Sequence, residues 1–198
     1  MKARFIFYCS LIFVSGCIAF TAVGPGELSY TGMTIDTKFA WNQAPHEATP
    51  LSRANSKTWT KNGILLDRFM IIPGVPNGEP IFRQTRSSQA LPVFYAKMLP
   101  NEIEELVESS IVKLFGEGGV AVETGGLRPH RYGDNNGVMF DIEVTVSDGP
   151  AYRGVAGALI VSEKFYLAMF LGAEPYYYQK LLDEALEIIK GARVVNAL

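Results

Sequence analysis

In the stretch VMFDIEVTVSDG, positions 138–149, residues 140–147 alternate strictly between apolar and polar. One side of the alternation carries Phe140, Ile142, Val144 and Val146, and the other carries Asp141, Glu143, Thr145 and Ser147. A period of two residues is typical of a β-strand that has one face buried and one face in water. The stretch therefore predicts a half-exposed strand.

Three similar segments surround this strand. VAVETGGLRPH (120–130) precedes it, and AYRGVAGALIVSE (151–163) and KFYLAMFLGAE (164–174) follow it. Clusters of Gly, Asn and Asp, which are turn-forming residues, separate the segments and predict an antiparallel meander. The last two segments are apolar almost throughout, as central strands covered on both faces are.

Two helices are predicted, one on each side of the meander. In NEIEELVESSIVKLF (101–115), apolar residues recur at spacings of three and four. Asn101 and Glu104 have the spacing of a capping box, and Gly116 is placed to end the helix. Pro175 predicts the start of a second helix that ends at Gly191. Its predicted buried side consists of Leu181, Leu182, Ala185, Leu186, Ile188 and Ile189.

The N-terminal half predicts further strands. GMTIDTKFAWN (32–42) alternates like a single strand. In the range 57–75, Asn62-Gly63 predicts a tight hairpin turn, and Pro73 and Pro76 are expected to end its second strand. The fold class is therefore α+β, with two main helices packed on an antiparallel sheet.

This order of elements resembles the PsbP-like fold, which includes small bacterial envelope lipoproteins such as the DcrB-like group. The resemblance covers roughly residues 30–195 and implies a PsbP-like sandwich. The range 59–82, WTKNGILLDRFMIIPGVPNGEPIF, is also similar to a segment of proteobacterial lipoproteins, and that similarity implies no activity. An α+β sandwich of another topology is the alternative.

The N-terminus has the pattern of an export signal. Lys2 and Arg4 precede a short apolar run that is too short for the roughly 20 residues of a membrane-spanning helix. The run ends in VSGC (14–17), which resembles the lipobox of bacterial lipoproteins. The resemblance implies that residues 1–16 are removed as a signal peptide and that Cys17 is acylated. An ordinary cleavable signal peptide is the alternative.

Acylation of Cys17 would determine where the protein lies. Cys9 falls within the leader, so the mature chain would keep one cysteine and no disulfide. Residues 17–29 are interpreted as the lipidated Cys and a tether, and residues 30–198 as a single domain. In lipoprotein sorting, an Asp directly after the acylated Cys retains the protein at the inner membrane. By resemblance, Ile18 at this position implies the outer membrane, with the domain facing the periplasm.

The composition and the motifs argue against several functions. Removing residues 1–16 changes the formal net charge from −2 to −4, which does not suit a nucleic-acid partner. His46 and His130 lie in different predicted loops without metal-ligand spacing, and no nucleophile or phosphate-binding motif is present. We therefore expect neither a metal, nor a cofactor, nor an enzymatic activity.

The strongest predicted surface site is the loop LRPHRYGDNNG (127–137). Arg128, His130, Arg131 and Tyr132 could bind an anionic group or a partner, because Arg offers paired donors and Tyr a stacking face. The alternative is a solvated hairpin whose charges protect a sheet edge. Tyr176-Tyr177-Tyr178 cannot all be buried, so Tyr176 is a second candidate for a partner contact.

The leading interpretation is a non-catalytic envelope lipoprotein that binds an envelope protein or assembly through the open face or the edge of its sheet. The second interpretation is a small-ligand carrier whose pocket lies between the sheet and the C-terminal helix, lined by Phe140, Phe165, Phe170 and Tyr178. An enzyme without a recognisable motif is the third.

Overall fold

An eight-stranded antiparallel sheet with two helices packed on it forms the body of the molecule. This architecture confirms the predicted α+β class. A computed structural model describes residues 19–49, 51–84, 90–115 and 119–194. The predicted signal peptide, Cys17 and Ile18 lie outside the described residues, so their roles stay predictions.

Strands and helices are numbered in chain order. The large sheet has the spatial order β1 (Thr21–Val23), β4 (Trp41–Gln43), β5 (Lys57–Thr60), β6 (Asp67–Pro76), β10 (Lys164–Ala173), β9 (Tyr152–Val161), β8 (Asn135–Val146) and β7 (Val120–Tyr132). A small sheet consists of β11 (Arg193–Val194), β3 (Met33–Thr37) and β2 (Gly26–Tyr30). The helices are α1 (Pro100–Phe115) and α2 (Tyr176–Gly191).

The two helices lie on opposite faces of the large sheet, and each covers its own hydrophobic core. Strand β10 contributes to both cores. Ala168 and Phe170 face α2, whereas Leu167 and Met169 face α1, and all four are fully buried. Burial on both faces explains why this segment is apolar throughout, and it confirms the predicted central strand.

The meander of β7 to β10 is confirmed, with antiparallel pairing between successive strands. Strand β8 alternates as predicted. Ile142 and Val144 are 1% and 4% exposed, whereas Asp141 and Glu143 are exposed. The range 127–137 forms a hairpin, as in the alternative prediction, with Tyr132 paired to Asn135 across a two-residue turn.

Both helices form, and the predicted cap of α1 is wrong. The helix begins at Pro100, one residue before Asn101. The Glu102 carboxylate accepts a hydrogen bond from the backbone N–H of Leu99 at 2.6 Å. Proline suits a first helical position because it has no N–H to satisfy. At the end of α2, Gly191 is the last helical residue rather than the residue that follows the helix.

The predicted single strand at 32–42 is two strands in different sheets. The Thr37 hydroxyl donates to the carbonyl oxygen of Phe39 at 3.0 Å and accepts from the Phe39 N–H at 3.1 Å. This local turn competes with the strand ladder and ends β3. Strand β4 then joins the large sheet between β1 and β5.

The predicted tether at 17–29 is folded for most of its length. Strand β1 pairs with β4, and β2 pairs with β3. Between them the chain passes from the large sheet to the small one, and Gly26 has a φ of +135°, which glycine tolerates. Since pairing satisfies the backbone hydrogen-bonding groups, the domain begins at Thr21 rather than at residue 30.

The connection between β5 and β6 is longer than the predicted two-residue turn. Strand β6 begins at Asp67, whose buried carboxylate accepts hydrogen bonds from the backbone N–H groups of Lys61 and Asn62 at 2.7 and 2.9 Å. Pro73 does not end β6, because Pro73 and Gly74 lie at a β-bulge in the pairing with β10. A bulge is a position at which a strand accepts proline.

Candidate functional site

Helix α2 covers only part of its face of the large sheet. On the β7 to β9 side, a continuous area of sheet is exposed, which we call the open face. It comprises Ala121, Glu123, Gly125, Asp141, Glu143, Thr145 and Arg153. The exposed side of β8, read from the alternation of the sequence, forms its centre.

Two ion pairs of the open face are accessible to solvent. An Nη atom of Arg128 lies 3.0 Å from an Asp141 carboxylate oxygen. Arg153 is opposite Glu143 in the β8–β9 register and forms an ion pair with it at 3.1 Å. These side chains are 42–58% exposed, so each pair contributes at most about 1 kcal/mol to folding. The pairs can therefore exchange partners at little cost in stability.

The start of α2 borders the open face and carries an accessible aromatic residue. Tyr176 is 60% exposed, and the Nζ atom of Lys180 lies 5.3 Å from its ring centre. The ring of Tyr178 is stacked on Phe170. The guanidinium carbon of Arg153 lies 5.4 Å from the centre of the Tyr178 ring. Burial raises the pKa of Tyr178, and Arg153 partly offsets this rise. The expectation that one of the three tyrosines is exposed is confirmed for Tyr176.

The predicted basic cluster does not converge on one site. One face of β7 carries Arg128, His130 and Tyr132, and the opposite face carries Arg131. His130 places its Nε2 atom 3.3 Å from the carbonyl oxygen of Lys190 at the end of α2. Anion or partner binding by these residues stays a prediction, which now rests on Arg128 and Arg131 separately.

Tyr132 cannot supply the predicted stacking face. Its side chain is 1% exposed, and its hydroxyl donates to the carbonyl oxygen of Val138 at 3.2 Å. Burial raises the pKa of the hydroxyl above its ordinary value, and Arg128 partly opposes that rise. Tyr132 therefore belongs to the core under α2.

The edge of the sheet at β7 is obstructed. Glu108 on α1 accepts hydrogen bonds from the backbone N–H of Thr124 at 3.1 Å and from its hydroxyl at 2.6 Å. A bulge interrupts β7 between Gly125 and Arg128, and Pro129 has no N–H to donate. Such features block the addition of another strand. The open face is therefore a better docking surface than this edge.

The predicted pocket between the sheet and α2 is wrong. Phe140 and Phe165 belong to the core under α1, whereas Phe170 and Tyr178 lie on the α2 side. Helix α2 packs tightly because the facing strands carry glycines. A Cβ on Gly172 would lie 2.7 Å from the backbone nitrogen of Tyr178. Apolar cavities lie instead on the α1 face.

Two further observations concern the described residues alone. Within them, no group of three or more His, Cys, Asp or Glu side chains is arranged to hold a metal ion. In the same ranges, no helix has both the length and the apolar character needed to cross a bilayer.

Comparisons with known proteins identify the fold. No protein-family profile matches the sequence, and no curated protein does. The structure is similar to the solution structure of cyanobacterial PsbP (CyanoP) from Synechocystis sp. PCC 6803, with a TM-score of 0.57 and 11% sequence identity. The match covers 96% of this chain and 99% of that one. The chain therefore has a PsbP-like α+β fold, as the order of elements implied.

Proposed function

We propose that the protein is a non-catalytic lipoprotein of the cell envelope that is anchored through Cys17 and binds an envelope protein through the open face. The observation that carries the proposal is the uncovered part of the sheet beside α2, with its accessible ion pairs. A soluble domain that leaves such a face uncovered can exchange its internal ion pairs for pairs with a partner.

The strand order suits an anchored module. Strand β1 begins at Thr21, so three residues separate it from Cys17 and span at most about 14 Å. Strand β1 lies at one edge of the sheet and β7 at the other, with six strands between them. At a strand spacing of about 4.8 Å, the seven intervals place the two edges roughly 34 Å apart. Anchoring at β1 would hold the open face away from the lipid.

Tyr176 fits the same surface. Exposed tyrosines are enriched at protein interfaces because the ring buries a large area with little loss of side-chain entropy. Tyr176 projects from the start of α2 beside the open face and is held there by Tyr177, whose ring centre is 5.1 Å away. A partner that covers the open face would therefore also reach this ring.

Charge reversal tests the proposal. The full-length chain is crosslinked in its native envelope and purified, and the crosslinked proteins are compared between Glu143→Lys and the matched control Glu105→Lys, which lies on exposed α1 surface. We expect Glu143→Lys to lose the specific partner by tenfold or more and Glu105→Lys to retain it. Equal recovery of every crosslinked protein by the two variants would contradict the proposal.

The basic residues of β7 give a second comparison. Arg128 lies on the open face and Arg131 projects from the other side, so we expect Arg128→Ala to weaken partner binding and Arg131→Ala to leave it unchanged. The double variant should then bind like Arg128→Ala alone. A loss caused by Arg131→Ala would place the interface on the opposite face.

A further inference from the structure

Two apolar cavities lie on the α1 side of the large sheet, on either side of Arg68. The first has a volume of about 160 Å³ and lies between α1 and the sheet, with Met70, Ile111 and Leu114 in its walls. The second, of about 190 Å³, is lined by Val144 and Tyr152 and reaches the exposed Leu65 at the end of the sheet. Both cavities are lined by Arg68 and Leu171.

Arg68 is a largely buried cation without a counter-charge. No carboxylate of the described residues forms an ion pair with it, and its Nε atom is buried without a hydrogen-bond partner. Its guanidinium contacts the ring of Tyr152, with 5.7 Å between the guanidinium carbon and the ring centre. Burial lowers the pKa of Arg68. Tyr152 offsets this lowering only in part. A partly buried charge without a counter-charge is costly, which favours a ligand that supplies one.

We propose that this crevice, defined by the two cavities and Arg68, binds a single-chain amphiphile with an anionic head group. The acyl chain occupies the first cavity, the head group pairs with Arg68, and the second cavity is the opening to solvent. This site is on the opposite face of the sheet from the open face, and it requires neither the lipid on Cys17 nor the proposed partner.

The size of the cavities limits the length of the chain. A methylene group takes up about the volume of a water molecule, roughly 30 Å³, so the first cavity holds about five methylenes. An eight-carbon chain would therefore place about five of its carbons in the first cavity and the remaining carbons beside Arg68, and a two-chain phospholipid does not fit. The apolar walls exclude a small hydrophilic anion as the natural occupant, because such an ion would leave both cavities empty.

The head group is defined by the chemistry of arginine. Its guanidinium presents two parallel N–H donors, which match the oxygens of a carboxylate or a phosphate monoester. Apolar surroundings strengthen this pairing because little water screens it. An uncharged alcohol of the same chain length would gain the apolar contacts alone, so the affinity difference between acid and alcohol reports on Arg68.

Calorimetric titration of the full-length chain in phosphatidylcholine nanodiscs tests the proposal, with empty nanodiscs as the blank. The ligands are octanoate, octyl phosphate, octanol and octylamine. We expect one of the two anions to bind at least tenfold more tightly than octanol, and octylamine to bind more weakly than either anion. The tighter of the two anions identifies the head group. Anions that bind no better than octanol would overturn the proposal.

Variants locate the site. Arg68→Gln should remove the preference for the anion over octanol, whereas Arg193→Gln, a change at an exposed arginine paired with Glu27, should keep it. Leu114→Trp should fill the first cavity and weaken binding of the anion by tenfold or more. Circular dichroism checks that each variant is folded. If Arg68→Gln does not fold, Leu114→Trp decides, and full affinity in that variant would place any binding elsewhere.

Discussion

Replacement of Gly157 by alanine tests the close packing of α2 on the sheet, and we expect it to lower the free energy of unfolding by about 2–4 kcal/mol. A Cβ at this position would lie 2.5 Å from the Cγ2 atom of Ile189 and closer still to the Tyr132 hydroxyl. Ile189 and Tyr132 are 0% and 1% exposed, so neither can move into solvent. Overpacking costs about 1–3 kcal/mol, and loss of the bond from Tyr132 to Val138 adds about 0.5–1.5 kcal/mol.

Gly125→Ala is the matched control. Gly125 lies on the open face, and no atom lies within 4 Å of a Cβ built there, so this change should stay within about 0.5 kcal/mol of the parent. Urea unfolding followed by the fluorescence of the buried Trp41 and Trp59 measures both variants. The thermal midpoint of Gly157→Ala should fall by roughly 5–15 °C. Equal stability of the two variants would refute the close packing of α2 and would reopen a pocket beneath it.

Three other predictions concern the turn, the register and the anchor. Asp67→Ala should cost about 3–5 kcal/mol in urea unfolding, because it removes the buried acceptor of two backbone N–H groups and two side-chain donors; a cost below 1 kcal/mol would contradict that role. Ile142→Asp should cost several kcal/mol, whereas Glu143→Ala should change stability by less than about 0.5 kcal/mol, and equal costs would mean that the register of β8 is wrong. In cells fed labelled fatty acid, the parent should carry the label and Cys17→Ser should not, and an unlabelled, fully soluble parent would remove the proposed anchor.

Elements whose burial is visible in local sequence could be predicted. The alternation around Ile142 indicates a strand with one buried face. The spacing of three and four residues around Leu106 and Val107 indicates a helix with one side packed on the sheet. Their types and approximate bounds therefore agree with the structure. The exposure of Tyr176 follows from helix geometry alone, since consecutive helical residues point about 100° apart.

Features that depend on side-chain conformation or on distant partners could not be predicted. The break after Thr37 is caused by a side-chain turn inside an otherwise strand-like pattern, and β1 acquires strand structure by pairing with β4. The same limit applies to the sites. Arg153 joins the open face only once the β8–β9 register places it opposite Glu143. The lack of a counter-charge at Arg68 is a property of the folded surroundings, and no local signal in the sequence indicates it.

Site-specific photo-crosslinking in living cells tests the proposed binding function most directly. A benzoylphenylalanine residue is placed at Glu143 on the open face or at Glu105 on α1, both of which are exposed. We expect one discrete crosslinked envelope protein from position 143 and none of that size from position 105. Absence of a discrete product from position 143, or the same product from both positions, would contradict the assignment of the open face as the binding surface.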